Sequence, residues 1–368
     1  MTTDDPGHVN NLDRNQRDLL KAYWLALIAA IDEDSTKVID SKFGEELFYL
    51  FAQFNPDVTL LRWLRACKWQ VTPAVQFMKD TLKWRHEWGL RTLSAKGESN
   101  VMLEECTSGK AYYMGKDKAN RPVSYVHASE HIRGQFPIEA TEKFLILFME
   151  TGRDLAESHI EEGTVVLDMG NVSLKNLDYQ YIKFMIDAMQ NYYPECLGVA
   201  LIVNAPWSFS TVWKIIRRWL DPVVESKIHF LNDSSELVKY IDPAVIPQRL
   251  QGNHVDFKFV PSTKEDEARL TAIRKDEEGM QKAQMEHRKA AQDYLNVTLK
   301  WANTSAQNEK DYETDRTQAA KLLSDIYRQL LPYISTQTYY HRIGMIQEPM
   351  FDITYNRICN DDTELTRF

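Results

Sequence analysis

Residues 192–231 read YYPECLGVALIVNAPWSFSTVWKIIRRWLDPVVESKIHFL, and they parse into strand, turn, helix, return and strand. The apolar run Val199 to Val203 has strand character, and Asn204-Ala205-Pro206 supplies a turn after it. A helix is expected over Phe209 to Leu220, a Pro-broken return at Asp221-Pro222, and a second strand over Lys227 to Leu231. On a helical wheel Phe209, Val212, Trp213, Ile216, Trp219 and Leu220 share one arc; Lys214 and Arg218 lie opposite, with Arg217 at the margin. A core-facing helix on a sheet has this periodicity. Two Trp and one Phe on the apolar face, with three cations and no acid in the segment, also suit a helix that meets an anionic membrane surface. Glu195 and Lys227 stand at the two edges of the unit.

The chain has 368 residues, 43% hydrophobic and 26% charged, a normal balance for a folded soluble protein. A net charge of −9 argues against a general nucleic-acid binder, since phosphate binding needs a clustered basic surface. Any membrane contact is therefore local. The opening MTTDDPGHVNN lacks a targeting pattern, and the longest apolar run, Ala22 to Ile31, falls short of the ~20 residues that span a bilayer. A cytoplasmic protein with peripheral membrane association is expected. Cys67, Cys106, Cys196 and Cys359 are scattered, with no metal-ligand spacing and no disulfide framework, so neither cofactor nor metal is expected.

An α/β fold follows from the order of elements. Residues 1–40 give a polar lead and a docking helix, Asp13 to Ile31; residues 41–105 give a helical module, with DVTLLRWLRA and VTPAVQFMKDTLKWRHEWG as its helices. From residue 106 to 260 strands alternate with helices: strand Pro122 to His127, helix Glu139 to Glu157, strand Thr164 to Asp168, helix Asp178 to Tyr192. This alternation implies a mainly parallel sheet with helices on its faces and central strands buried on both sides. Residues 261–368 form a C-terminal helical extension: a charged run over 264–302 interrupted at Gly279, and a helix Asp311 to Leu331 ended by Pro332. Tyr327, Tyr333, Tyr339, Tyr340, Phe351 and Tyr355 suggest that the last stretch docks. The charged helices read as solvated faces packed on their own domain, or as an arm that binds a partner.

The runs NYYPECLG, NAPWSFSTVWKII, WLDPVVESKIHF and VIPQRLQGN, with GKDKANRPVSYVH and TVVLDMGNVSL before them, resemble the CRAL-TRIO lipid-binding family. LLRWLRACKWQVTPAVQFMKDTLKWRHEWG resembles its helical N-terminal module, and the likeness spans roughly residues 50 to 255. The type is that of fungal phosphatidylinositol transfer proteins, in a branch with a C-terminal helical extension. The resemblance implies an internal lipid pocket floored by the sheet, with the helix 209–220 as a mobile gate. It implies phosphatidylinositol as bound lipid, with Lys68, Glu195 and Lys227 at the headgroup; without it, these read as a solvated lysine and as an ion pair or two unrelated surface charges.

A Lys neutralises phosphate and a carboxylate accepts from inositol hydroxyls. Cys67 and Val224 depart from the family's headgroup pattern, where a basic residue and a hydroxyl are expected. The choline-binding hydroxyls of the family are mostly missing too. Tyr113 is kept, Ser124 replaces a tyrosine, and Gly163 and Val165 replace hydroxyl residues. A second cargo more apolar than phosphatidylcholine, such as a sterol or an isoprenoid-like molecule, is expected in a pocket lined by Tyr113, Ser124, Val165 and Val224.

No nucleophile elbow, phosphate loop or metalloprotease motif occurs, so an enzyme is not expected. The leading expectation is phospholipid transport: a lipid transfer protein that meets membranes transiently, with a lipid kinase as a candidate receiver of its lipid. The alternative is a lipid-sensing scaffold that binds a partner through its C-terminal helices.

Overall fold

The computed structural model describes residues 5–156, 160–305, 309–347 and 352–353. In chain order the helices begin with α1 (Arg14–Ile31), α2 (Lys42–Phe51), α3 (Pro56–Ala66), α4 (Val71–Trp88), α5 (Leu90–Lys96) and α6 (Leu103–Thr107). The sheet region follows: β1 (Ala111–Lys116), β2 (Pro122–His127), α7 (Ile138–Asp154), β3 (Gly163–Asp168), α8 (Tyr179–Tyr192), β4 (Leu197–Val203), α9 (Phe209–Ile216), α10 (Pro222–Ser226) and β5 (Ile228–Phe230). The chain then runs through α11 (Lys264–Lys275), α12 (Glu277–Ala302), α13 (Glu309–Ile334) and α14 (Tyr339–Arg342), with β6 (Ile346–Gln347) pairing β7 (Asp352–Ile353). Two compact units result, residues 1–95 with 267–336, and residues 96–266 with 337–368.

The first unit is helical. Asp13, expected as the first residue of the helix, instead caps α1 in a capping box with Gln16, and Gly89 closes α4 in the left-handed region. Trp24, Leu27, Phe51, Trp63, Tyr294 and Leu323 are buried in one core, so the apolar stripes of α12 and α13 are part of this unit's interior. At its centre Arg316 holds Asp57 through two hydrogen bonds of 2.5 and 2.6 Å, and Trp24 Nε1 donates to the same carboxylate at 2.7 Å.

Two expectations for the extension are corrected. The charged run breaks at Asp276, not Gly279: Asp276 caps α12 by accepting from the Gly279 N–H, and a Cβ at Gly279 would come within 2.4 Å of the Tyr333 hydroxyl. Helix α13 also continues past Pro332 to Ile334, with the proline in its last turn. Tyr327 and Tyr340 are buried, whereas Phe351 and Tyr355 lie outside the described residues.

The second unit is α/β, with strand order β1-β2-β3-β4-β5. β1 pairs β2 antiparallel, and β2, β3, β4 and β5 run parallel. The two faces of the sheet differ. On one, Val123, Tyr125, Val166, Leu201 and Val203 are buried under Leu237, Ile241, Ile246 and Leu250, the return segment after β5. On the other, the register sets Tyr113, Ser124, Val165, Ala200 and Ile228 in one row across all five strands. Every second residue of β3 on that face, Gly163, Val165 and Leu167, is only half-buried, although β3 lies in the middle of the sheet. The expectation of central strands buried on both faces is thus met on one face only.

Candidate functional site

The half-open face is roofed by helices. Phe148 of α7 stacks on Tyr113 at 4.3 Å between ring centroids, at the β1 end of the row. At the other end Phe209, Val212, Trp213 and Ile216 of α9 pack with Leu167, Ile202 and Ile228 of the sheet and with Ile182 and Ile186 of α8. The helix expected over Phe209 to Leu220 is α-helical to Ile216 and finishes as a 3-10 turn over Arg217–Trp219, whose Trp219 and Leu220 join the same cluster. Lys214 and Arg218 are exposed on its outer side. Arg217 is also exposed but tied at 3.0 Å to Glu225 of α10. Four further apolar side chains face outward around this helix: Trp207, 91% exposed, with Ile215, Val223 and Phe230. Trp207 sits in the turn before α9 and was not singled out by the helical-wheel reading, which began at Phe209.

The helix is fastened at its two ends by few bonds. At the C-terminal end the Gln190 side chain of α8 donates to the Trp219 carbonyl (3.0 Å) and accepts from the Asp221 N–H (2.5 Å). At the N-terminal end Asn204, in the left-handed region, donates to Asp168 at 2.9 Å. Burial raises the Asp168 carboxyl, but hydrogen bonds from His127, Asn204 and the Gly170 N–H outweigh it and hold the group below the usual carboxylate range.

Of the pocket residues read from the sequence, Tyr113, Ser124 and Val165 fall side by side in the row; Val224 lies half-buried in α10. The Ser124 hydroxyl donates to the Thr164 carbonyl at 3.2 Å, which commits its proton to the sheet. Of the headgroup residues, Glu195 is half-buried with φ +55° just before β4, and Lys227 lies just before β5. Lys227 is 18% exposed and donates to Glu162 Oε1 at 2.9 Å and to the Leu197 carbonyl at 2.6 Å. Glu162 was missed by sequence reasoning. Its signal is the acidic pair Glu161-Glu162 directly before β3, both buried; the register Gly163 to Leu197 carries Glu162 towards Lys227. Lys68 is exposed, with φ +51°, in the turn after α3 of the helical unit. Among the described residues no group of His, Cys, Asp and Glu is placed to hold a metal ion, and no helix is long and apolar enough to cross a membrane.

A mostly parallel sheet with one half-buried face under a short amphipathic helix places this unit in the α/β class. The chain belongs to the CRAL-TRIO family: residues 107–252 match the CRAL/TRIO domain, and residues 25–80 match the CRAL/TRIO N-terminal domain. It is 34% identical over 297 residues to a CRAL-TRIO domain-containing protein of Schizosaccharomyces pombe, covering 79% of this chain and 66% of that one. It is 30% identical over 301 residues to the phosphatidylinositol transfer protein CSR1 of Eremothecium gossypii, covering 79% of this chain and 69% of the relative. The crystal structure of Sfh5 is similar at a TM-score of 0.47 and 22% identity, over 61% of this chain and 82% of that one.

Proposed function

We propose that the chain is a lipid exchange protein that takes one lipid tail-first onto the half-open sheet face and releases it at a membrane when α9 swings aside. The observation that carries this reading is the asymmetry of β3, closely packed on one face and only half-buried on the other, beside a helix tied at its ends by Gln190 and Asn204. Moving an acyl chain from bilayer to pocket exchanges one apolar surrounding for another. The ~0.8 kcal/mol per CH₂ that water would cost is avoided in both, so exchange runs either way. The exposed Trp207, Ile215, Val223 and Phe230, beside Lys214, Arg217 and Arg218, supply an apolar and cationic surface for the encounter.

For cargo, phosphatidylinositol is supported by the name of the CSR1 relative, and Lys227 and Glu195 of the α/β unit are proposed at its headgroup. A second, apolar cargo is supported by Val165 and by the committed Ser124 hydroxyl, which leave little in the row to receive a choline phosphate. Vesicle-to-vesicle transfer of labelled phosphatidylinositol and of a labelled sterol tests the reading. Catalytic movement of lipid is expected, and tight holding without transfer would refute it.

A further inference from the structure

A cleft of about 370 Å³ opens in the α/β unit between the loop after β2 and the N-terminal ends of α7 and α8. Its floor is a buried ion pair, Lys110 with Glu105, and the Thr141 hydroxyl donates to the same Glu105 at 2.6 Å. The other carboxylates are committed as well. Asp178 caps α8 at the Tyr181 N–H and lies 3.4 Å from His131 Nε2, and Glu130 meets Arg249 at 3.1 Å.

What remains uncommitted towards the cleft is rich in donors. The Arg133 guanidinium and the side-chain amides of Gln135 and Gln180 line it without side-chain partners among the described residues. Lys110 has ammonium hydrogens beyond the one Glu105 takes, and its ammonium lies over the Phe144 ring at 5.0 Å from the centroid. The first N–H groups of α7 carry no side-chain cap, because Pro137 stands at the N-cap. Phe136, Ile138 and Tyr179 add apolar wall.

We infer that this cleft binds a phosphate monoester, its oxygens received by Arg133, Lys110 and the start of α7 and its organic part held against Phe136 and Tyr179. A phosphate suits donors that approach from several directions, having three terminal oxygens to offer them. The volume leaves room for a small organic group beside it. Tyr179, which lines the cleft, also meets Trp219 edge-on at 6.2 Å, at the end of the roofing helix. An occupant that moves Tyr179 bears on the gate; this coupling rests on the exchange reading above, whereas the binding does not.

The test is calorimetric titration of the full chain with glycerol 3-phosphate, and sedimentation with phosphatidylcholine vesicles that contain phosphatidic acid. Saturable binding of one glycerol 3-phosphate per chain is expected. Arg133→Ala, an exposed change that leaves the fold in place, should weaken it about 10–100-fold, the scale of one charge-assisted hydrogen bond. The pair Lys110→Met with Glu105→Gln, which removes both buried charges together, should abolish it. If glycerol 3-phosphate also releases the protein from the vesicles, the phosphate belongs to a lipid headgroup; if it binds without releasing them, the ligand is soluble. Absence of saturable binding, or binding indifferent to both variants, overturns the inference. Binding that persists in a chain that transfers no lipid would sink the exchange reading and leave the cleft standing.

Discussion

Replacing Lys227 by Met isolates the proposed headgroup charge, but the structure demands a second variant to read the result. Lys227 Nζ sits against Glu162, itself 5% exposed, and the Leu197 carbonyl. Removing one partner of a fully buried ion pair costs roughly 3–5 kcal/mol, and the partial exposure of Lys227 lowers this to about 1–3 kcal/mol. Thermal unfolding should therefore fall by about 5 °C in Lys227→Met, taking roughly 2–4 °C per kcal/mol. Glu162→Gln in the same chain should restore most of that, because the buried carboxylate that faced Lys227 no longer carries a charge. Phosphatidylinositol transfer should stay low in both variants, by about 10–100-fold, the worth of one charge-assisted hydrogen bond to phosphate. Sterol transfer should recover with stability in the double variant. Recovery of phosphatidylinositol transfer along with stability would show that Lys227 serves the fold and not the headgroup, and would refute the assignment.

Other consequences are measurable with the same preparations. Trp207→Ala should leave unfolding unchanged, since the side chain is 91% exposed, yet weaken binding to anionic vesicles severalfold; equal binding would remove it from the membrane surface. Charge reversal at Arg218 should slow exchange on anionic vesicles more than reversal at Arg217, whose charge Glu225 already offsets, and the difference should shrink in high salt. Burial pushes His287 down to about 4, with no hydrogen-bond partner for its Nε2 among the described residues, so the folded chain keeps it neutral while the unfolded chain protonates it near 6.5. Its contribution is full above pH 6.5 and is lost as pH falls towards 4, by about 3 kcal/mol, so urea unfolding of His287→Leu should show a flatter acid limb; an unchanged slope would count against this. Arg316→Met should destabilise the helical unit by about 3 kcal/mol or more, as Asp57 loses both of its guanidinium bonds, and a shift under 1 kcal/mol would mean the pair is solvated.

Much of the architecture was legible because it is written in local pattern. The alternation of strands and helices from β2 to β5 and the arc of Phe209, Val212, Trp213 and Ile216 each follow from side chains a few positions apart, whereas the antiparallel strand β1 was not anticipated. The row of Tyr113, Ser124 and Val165 was reached through resemblance, and its register depends on pairing between strands more than ten residues apart. Glu162 was not legible for the same reason: nothing local says that a carboxylate before β3 meets a lysine before β5. The break at Asp276 shows the opposite error, in which the helix-breaking reputation of Gly279 outweighed a capping aspartate three residues earlier. The donors of the cleft come from separate segments, Lys110 just before β1 and Arg133 in the loop after β2, and composition offers no hint that they converge.

The central claim, that the half-open face of the sheet carries one exchangeable lipid, is tested most directly by native mass spectrometry of the purified chain followed by extraction and identification of what it holds. Phosphatidylinositol or an isoprenoid-like lipid at about one per chain is the predicted result. A chain that stays empty after exposure to vesicles of both lipids, or one that carries mainly phosphatidylcholine, would contradict the account.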